Sequence, residues 1–208
     1  ECVFSAILSG ADIVKLGLGS GKNCNSRLVA SVGYPQLSCN LECSDTAHGL
    51  KNGDKRLGLV CSDGGIRRIG HFGVAFGSGA DFTMSGSFFA GTDPTGEERD
   101  WEYEKDRSKP QIDQNSSWGA ISYPQKRKCL KFFGMASSEA QMRHSNGIPA
   151  YGTAEGKCSI IEYKGRLEDL IENILGGLRS TATYIGATEL RDFNKCATFL
   201  RVNKIEHH

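Results

Sequence analysis

Three short apolar runs, each leading into glycine, set the strongest limit on what this chain can become. Ile13-Val14-Lys15-Leu16 enters Gly17, Leu57-Gly58-Leu59-Val60-Cys61 enters Ser62-Asp63-Gly64-Gly65, and Phe82-Thr83-Met84 enters Ser85-Gly86-Ser87. The first and third runs follow the same string, Ser-Gly-Ala-Asp, at 9–12 and at 78–81. Glycine there suits a helix end, because it takes the left-handed conformation without a Cβ penalty. The stretches between, Gln36 to Leu50 and Arg67 to Phe76, have helical length and few breakers. Short buried-type strands alternating with helices read as βα units on a parallel sheet, with every turn at the end where such sheets bind ligands.

Further along, Leu167, Leu170, Ile171 and Ile174 fall at i, i+3, i+4 and i+7, which predicts a helix over Arg166 to Leu175. The capping-box spacing Ser138-x-x-Gln141 opens another. Thr92 to Lys128 is polar with scattered aromatics and reads as a surface insertion. A (β/α)₈ barrel typically takes about 250 residues. With three strand-turn units visible in 208 residues, and with Glu1-Cys2-Val3 reading as helix, the expectation is the C-terminal portion of a TIM barrel. Residues 1–208 are then one α/β domain of an incomplete barrel.

A formal charge of +1, with 24% charged and 38% hydrophobic residues, fits a globular domain rather than a disordered chain and gives no footprint for nucleic acid or an anionic membrane. No apolar run approaches the ~20 residues of a membrane span, and no basic leader is visible, so a cytoplasmic protein is expected. The eight cysteines lack paired C-x-x-C spacing and read as free thiols, one of them a candidate nucleophile.

That candidate is Cys24, in the loop Gly17-Leu18-Gly19-Ser20-Gly21-Lys22-Asn23-Cys24-Asn25-Ser26-Arg27. A reactive thiol needs exposure and nearby positive charge, which Lys22 and Arg27 offer, although an ordinary loop cysteine fits the spacing equally well. Asp63 beside Gly64 and Gly65 could accept ribose hydroxyls, and Gly86 and Ser87 could turn backbone N–H groups toward a phosphate. Each is also a plain turn taken singly; their recurrence at matched strand ends is the signal.

Gly33-Tyr34-Pro35-Gln36-Leu37-Ser38, Ser62-Asp63-Gly64-Gly65, Gly134-Met135-Ala136-Ser137-Ser138-Glu139 and Gly176-Gly177-Leu178-Arg179-Ser180 occur in that order with the Cys24 loop. Together they resemble the IMP dehydrogenase/GMP reductase family across nearly the whole chain outside the polar segment. Tyr34-Pro35-Gln36-Leu37, Ala154-Glu155-Gly156 and Thr183-Tyr184-Ile185-Gly186-Ala187 resemble its reductase branch more than its dehydrogenases. By that resemblance, residues 129–164 hold an active-site flap.

The resemblance implies NADPH-dependent reductive deamination of GMP to IMP and ammonia through a covalent thioimidate on Cys24, within nucleotide salvage. Ser26 and Glu155 are then the hydroxyl and acidic partners that protonate the departing amine. Asp63, Gly64, Gly65, Gly86, Ser87, Gly134, Met135, Ala136 and Gly156 hold the nucleotide. Leu18, Gly19, Met135, Tyr151, Gly152, Ser180, Thr181, Ala182 and Thr183 meet the dinucleotide. Gly19, Gly21, Cys24 and Arg27 stand where the family holds K⁺, and a homotetramer is implied. Two departures stand out: Gly152 replaces an Arg usual in reductases, and the cysteine loop has Ser20 for a usual Pro and Lys22-Asn23 for a small and an apolar residue. The alternatives are an IMP dehydrogenase, in which the adduct forms by hydride loss and is hydrolysed, and an inactive nucleotide-binding fragment or paralogue.

Overall fold

The structure, a computed structural model, describes residues 1–112, 121–144 and 152–202. Along the chain come α1 (Cys2–Leu8), β1 (Ile13–Leu16), α2 (Ser26–Val29), α3 (Gln36–Gly49), β2 (Lys51–Asn52), β3 (Lys55–Arg56), β4 (Leu59–Asp63), α4 (Gly70–Gly77), β5 (Phe82–Met84) and α5 (Gly86–Phe89). There follow β6 (Trp101–Lys105), β7 (Gln111–Ile112), β8 (Ile121–Ser122), β9 (Gln125–Phe133), α6 (Ser138–His144), β10 (Cys158–Glu162), α7 (Leu167–Ile185) and α8 (Phe193–Cys196). Among the described residues no helix is long and apolar enough to cross a membrane. The chain divides into two compact units, one of Glu1–Lys22, Val32–Ser85 and Ile171–His208, the other of Asn23–Ser31 and Gly86–Leu170.

In the first unit, the repeated Ser-Gly-Ala-Asp string marks two helix ends built alike. After α1, Gly10 takes φ +101°, its N–H donates to the Ile7 carbonyl, and the Ala11 N–H reaches back to Ala6. After α4, Gly79 takes φ +96°, with Gly79 donating to Phe76 and Ala80 to Ala75. This is the Schellman arrangement, which satisfies the last carbonyls of a helix and turns the chain toward the next strand.

The strands so launched form a parallel sheet in the order β1-β4-β5, with Val14 opposite Val60 and Ser62 opposite Thr83. Parallel pairing puts the turns after Leu16, Asp63 and Met84 at one end, as the sequence predicts. Val3, Ile7, Leu16, Ala47 and Val60 make the core, with Val14, Cys39, Cys43 and Leu50 packed on it. Between helix and sheet, Asn40 is buried and donates to Ser62 at 3.0 Å and Ser78 at 3.1 Å. Burial of that amide is tolerable because its hydrogens are satisfied.

The second unit rests on an antiparallel sheet in the order β10-β9-β6. Ala90, Trp101, Leu130 and Ile161 form its core, with Phe132 packed against them. The Trp101 indole N–H donates to the Thr95 carbonyl at 3.0 Å, and the Arg127 guanidinium lies 4.6 Å from the indole centroid.

Three sequence expectations change. The segment from Thr92 to Lys128 is not wholly superficial: Thr92 and Trp101 are buried, and β6 and the start of β9 belong to the sheet. Its polar composition misleads because β6 is exposed at every position after Trp101. The helix expected to stop at Leu175 continues through Gly176 and Gly177 to Ile185. A Cβ at Gly177 would stand 2.2 Å from Ile69 Cγ2, so this glycine serves close packing rather than termination. The cap of α6 is Ser137, not Ser138, since the Ser137 hydroxyl accepts the Ala140 N–H at 3.2 Å.

Candidate active site

The second unit brings Cys24, Ser26 and Glu155 together. The Cys24 Sγ–H donates to Ser26 Oγ at 3.2 Å, and the Ser26 hydroxyl donates to Glu155 Oε2 at 2.6 Å. All three are half-buried. The backbone ties the two segments together: the Asn25 N–H donates to the Glu155 carbonyl at 2.6 Å, and Cys24 forms an antiparallel bridge with Gly156. Thiol, hydroxyl and carboxylate thus form a relay along which a proton can leave sulfur and arrive at a carboxylate.

Gly156 also bridges Ser137, and its N–H donates to the Ala136 carbonyl at 3.0 Å. A Cβ on Gly156 would lie 2.6 Å from the Ser137 nitrogen, so a side chain here would drive the two segments apart. Gly134, Met135 and Ala136 therefore form a turn beside the cysteine loop, with the Gly134 N–H donating to the Lys157 carbonyl at 3.1 Å. Met135 on that turn is 76% exposed, an apolar surface of the kind a flat aromatic ring can cover. Behind the turn, α6 is held by Arg143, which pairs with Asp100 at 2.8 Å and Glu139 at 2.7 Å. The hydrogen bond from Arg143 holds the Asp100 carboxyl below its usual range, and hydrogen bonds from Lys131 and Arg143 do the same for Glu139.

Three other thiols are held back by their surroundings. Burial, together with its neighbour Cys39, pushes the Cys43 thiol up to about 11. Burial also raises Cys61, and Cys129 is raised by the hydrogen bond it makes to the Glu102 carboxylate. Each of these is less available as a thiolate nucleophile.

Gly86 and Ser87 lie in the same unit at the start of α5. The Lys164 ammonium donates to the carbonyls of Ser87 at 3.0 Å and Phe88 at 2.8 Å, placing a positive charge beside the expected phosphate turn. Sequence reasoning missed Lys164; a lone lysine after a strand carries no signal until the fold brings it 77 residues back along the chain.

The first unit holds Asp63, Gly64 and Gly65 at the end of β4. Asp63 is paired with Lys15 at 2.5 Å, its carbonyl accepts the Ser20 hydroxyl at 2.8 Å, and the Gly65 N–H donates to the Ser20 carbonyl at 3.1 Å. Lys15 was also missed, although period-two alternation could have found it. It is in register with Cys61 and so shares a face with Asp63, two residues on. The loop carbonyls of Leu18 and Ser20 accept the Tyr34 and Gly65 amides, the alternate positions to Gly19 and Gly21. Carbonyl oxygens of that kind suit a hard monovalent cation. Among the described residues no group of three or more His, Cys, Asp or Glu could hold a metal.

Of the expected cofactor residues, Leu18 and Gly19 lie on the loop after β1 in the first unit, and Met135 on the turn before α6 in the second. Tyr151 lies outside the described residues, while Gly152 is exposed. Ser180, Thr181, Ala182 and Thr183 sit inside α7. The Thr181 hydroxyl donates to the Gly177 carbonyl at 3.0 Å, and a Cβ on Gly73 would meet that side chain at 2.8 Å, so Thr181 faces helix packing. Ser180 and Thr183 are exposed.

The sequence matches the IMP dehydrogenase / GMP reductase domain over residues 2–207. The chain belongs to the IMP dehydrogenase/GMP reductase family. A GMP reductase of Vibrio vulnificus (strain YJ016) is 40% identical over 208 residues, covering 100% of this chain and 52% of the relative. One from Buchnera aphidicola subsp. Schizaphis graminum is 40% identical over 207 residues, covering 100% of this chain and 51% of its own length. The chain thus spans about half the length of the curated relatives it matches. Among solved structures, a cysteine-to-alanine variant of a GMP reductase from Trypanosoma brucei, in complex with guanosine 5′-monophosphate, aligns with a TM-score of 0.75 at 27% identity, over 97% of this chain and 36% of that one. The chain shares the α/β fold of that structure over the aligned residues.

Proposed function

We propose that this chain is the C-terminal, nucleophile-bearing part of a GMP reductase, in which GMP is reductively deaminated to IMP and ammonia. The observation that carries this reading is the line Cys24–Ser26–Glu155, with its 3.2 Å and 2.6 Å links. GMP reductases among the relatives and the GMP complex of the structural neighbour support the substrate.

The thiol proton passes through Ser26 to Glu155, and the sulfur attacks C2 of the purine. The same proton returns from Glu155 through Ser26 to the 2-amino group, the C2–N bond breaks, and ammonia leaves. Cys24 then remains bonded to C2 as a thioimidate, with no net gain or loss of protons at this step. NADPH, when bound, supplies the hydride that C2 requires. Cys24 then departs as thiolate and is reprotonated along the same line by a proton that Glu155 takes up from solvent. A positioned acid is what allows a poor leaving group such as an amine to go. Asp63, held by Lys15, is suited to ribose hydroxyls, and the α5 start beside Lys164 to the phosphate. Met135 is suited to lie against the nicotinamide, and Ser180 and Thr183 to meet the rest of the dinucleotide, while the carbonyls of Gly19, Gly21, Cys24 and Arg27 suit K⁺. The parallel strands in chain order support a (β/α)₈ barrel completed by further strands, and the family resemblance suggests a cytoplasmic homotetramer.

The test follows NADPH absorbance with mass spectrometry of products, on this chain together with the rest of its barrel. GMP and NADPH should give IMP and ammonia, and Cys24→Ser should abolish turnover while leaving GMP binding within about threefold. Consumption of NAD with IMP instead would make it a dehydrogenase. Turnover that survives Cys24→Ser would remove the covalent route.

A further inference from the structure

We infer that Asn23 is the residue that positions the Cys24 thiol, an inference resting on Cys24 as the nucleophile. Asn23 is only 6% exposed, in a loop otherwise rich in glycine. Its Nδ2 donates to the Phe132 carbonyl on β9 at 3.1 Å, and its Oδ1 accepts the Ser159 hydroxyl on β10 at 3.0 Å. Phe132 and Ser159 are directly opposed in the β9–β10 ladder, so the carboxamide is gripped at one rung of the sheet. Its own carbonyl accepts the Lys157 N–H at 3.0 Å, beside the Cys24–Gly156 bridge.

An apolar side chain could fill this space without any polar partner. What the amide adds is direction, because its two ends accept only one orientation between a carbonyl and a hydroxyl. A glycine-rich loop has little stiffness of its own. Any rotation at Asn23 is passed within one residue to Sγ, whose use depends on its 3.2 Å approach to Ser26. A displacement of about 1 Å in a reacting group can cost about a hundredfold in rate.

The experiment measures the rate of Cys24 carboxymethylation at fixed pH, by mass spectrometry of its peptide, alongside steady-state kinetics and thermal melts, on the complete enzyme. Asn23→Ala is expected to lower kcat roughly ten- to a hundredfold, with KM for GMP within about twofold, and to change the rate of Cys24 labelling. Ser159→Ala should move both readouts the same way by less, and Ser159→Thr, which keeps the hydroxyl, should restore them. A double Asn23→Val, Ser159→Val variant should recover part of the melting temperature, since only the Phe132 carbonyl then loses its donor, but not kcat. Wild-type kcat and labelling rate in Ser159→Ala and in any folded Asn23 variant would overturn the proposal, as would full recovery in the double variant. Ser159→Ala decides the matter should Asn23→Ala fail to fold. If the wild-type enzyme shows no GMP-dependent oxidation of NADPH, the proposed function falls, while the labelling rate still judges Asn23.

Discussion

Asp81 keeps its charge although burial works against it. Burial pushes its carboxyl up, but the hydrogen bonds from His48 and the Val60 amide, with the nearby His48 and Arg56 charges, outweigh that and hold it below the usual range. The contacts are short, 3.1 Å to His48, 3.0 Å to Arg56 and 2.9 Å to the Val60 nitrogen. A carboxyl whose folded pKa is depressed contributes stability above its unfolded value, about 3.9, and loses it as pH falls through the folded value. Chemical unfolding of wild type should therefore weaken more steeply than that of Asp81→Asn below about pH 4. Near pH 7 the variant should be less stable by roughly 1–3 kcal/mol, having orphaned buried donors. Parallel pH slopes for the two proteins would remove Asp81 from this role. The sequence marks Asp81 only as part of a repeat. Its partners come from α3, β3 and β4, so its charge state is set by tertiary contacts that no local pattern contains. Asn23 is similar: its neighbour Cys24 is legible from the loop, but the rung that grips it forms only when β9 and β10 pair.

Glycine is the element-scale lesson, since the same residue means opposite things in two places. At Gly10 and Gly79 the local reading holds, because a Schellman end is encoded by the few residues that form it. At Gly177 it fails, because the reason for glycine is Ile69, more than a hundred positions earlier in the chain. Gly177→Ala should thus lower the melting temperature even though alanine is the better helix former by about 1 kcal/mol. Pairing it with Ile69→Ala, which clears the approach, should return part of the loss. A stabilised single variant would show that α7 shifts freely. In the second unit the hidden element is β6. Its one buried residue, Trp101, is the whole of its inward signal, against four exposed neighbours. Trp101→Ala should destabilise that unit by about 3–5 kcal/mol in urea unfolding, whereas a true surface insertion would tolerate it.

At the scale of the whole molecule, the parallel sheet of the first unit is open on one face. Val14, Leu16, Val60 and Ser62 turn to the helices, while Ile13, Phe82 and Met84 on the other face are 50%, 45% and 48% exposed. Among the described residues β1 and β5 are also edge strands, each with one row of backbone groups unpaired. Apolar faces and bare edges of this kind invite pairing with another chain. Alternation of strand and helix was readable because each βα unit is local. How many units close the sheet was not, since closure is a property of strands from distant sequence. In the reading given above, further strands of the barrel cover this face. The 208-residue chain by itself should then self-associate with rising concentration in sedimentation velocity and bind a hydrophobic dye. Phe82→Lys should suppress both in the isolated chain, yet abolish folding of the completed barrel, where the lysine would be buried without a partner. A chain that stays monomeric and silent to the dye at high concentration would show instead that this face needs no cover, and the barrel would lose its main physical support.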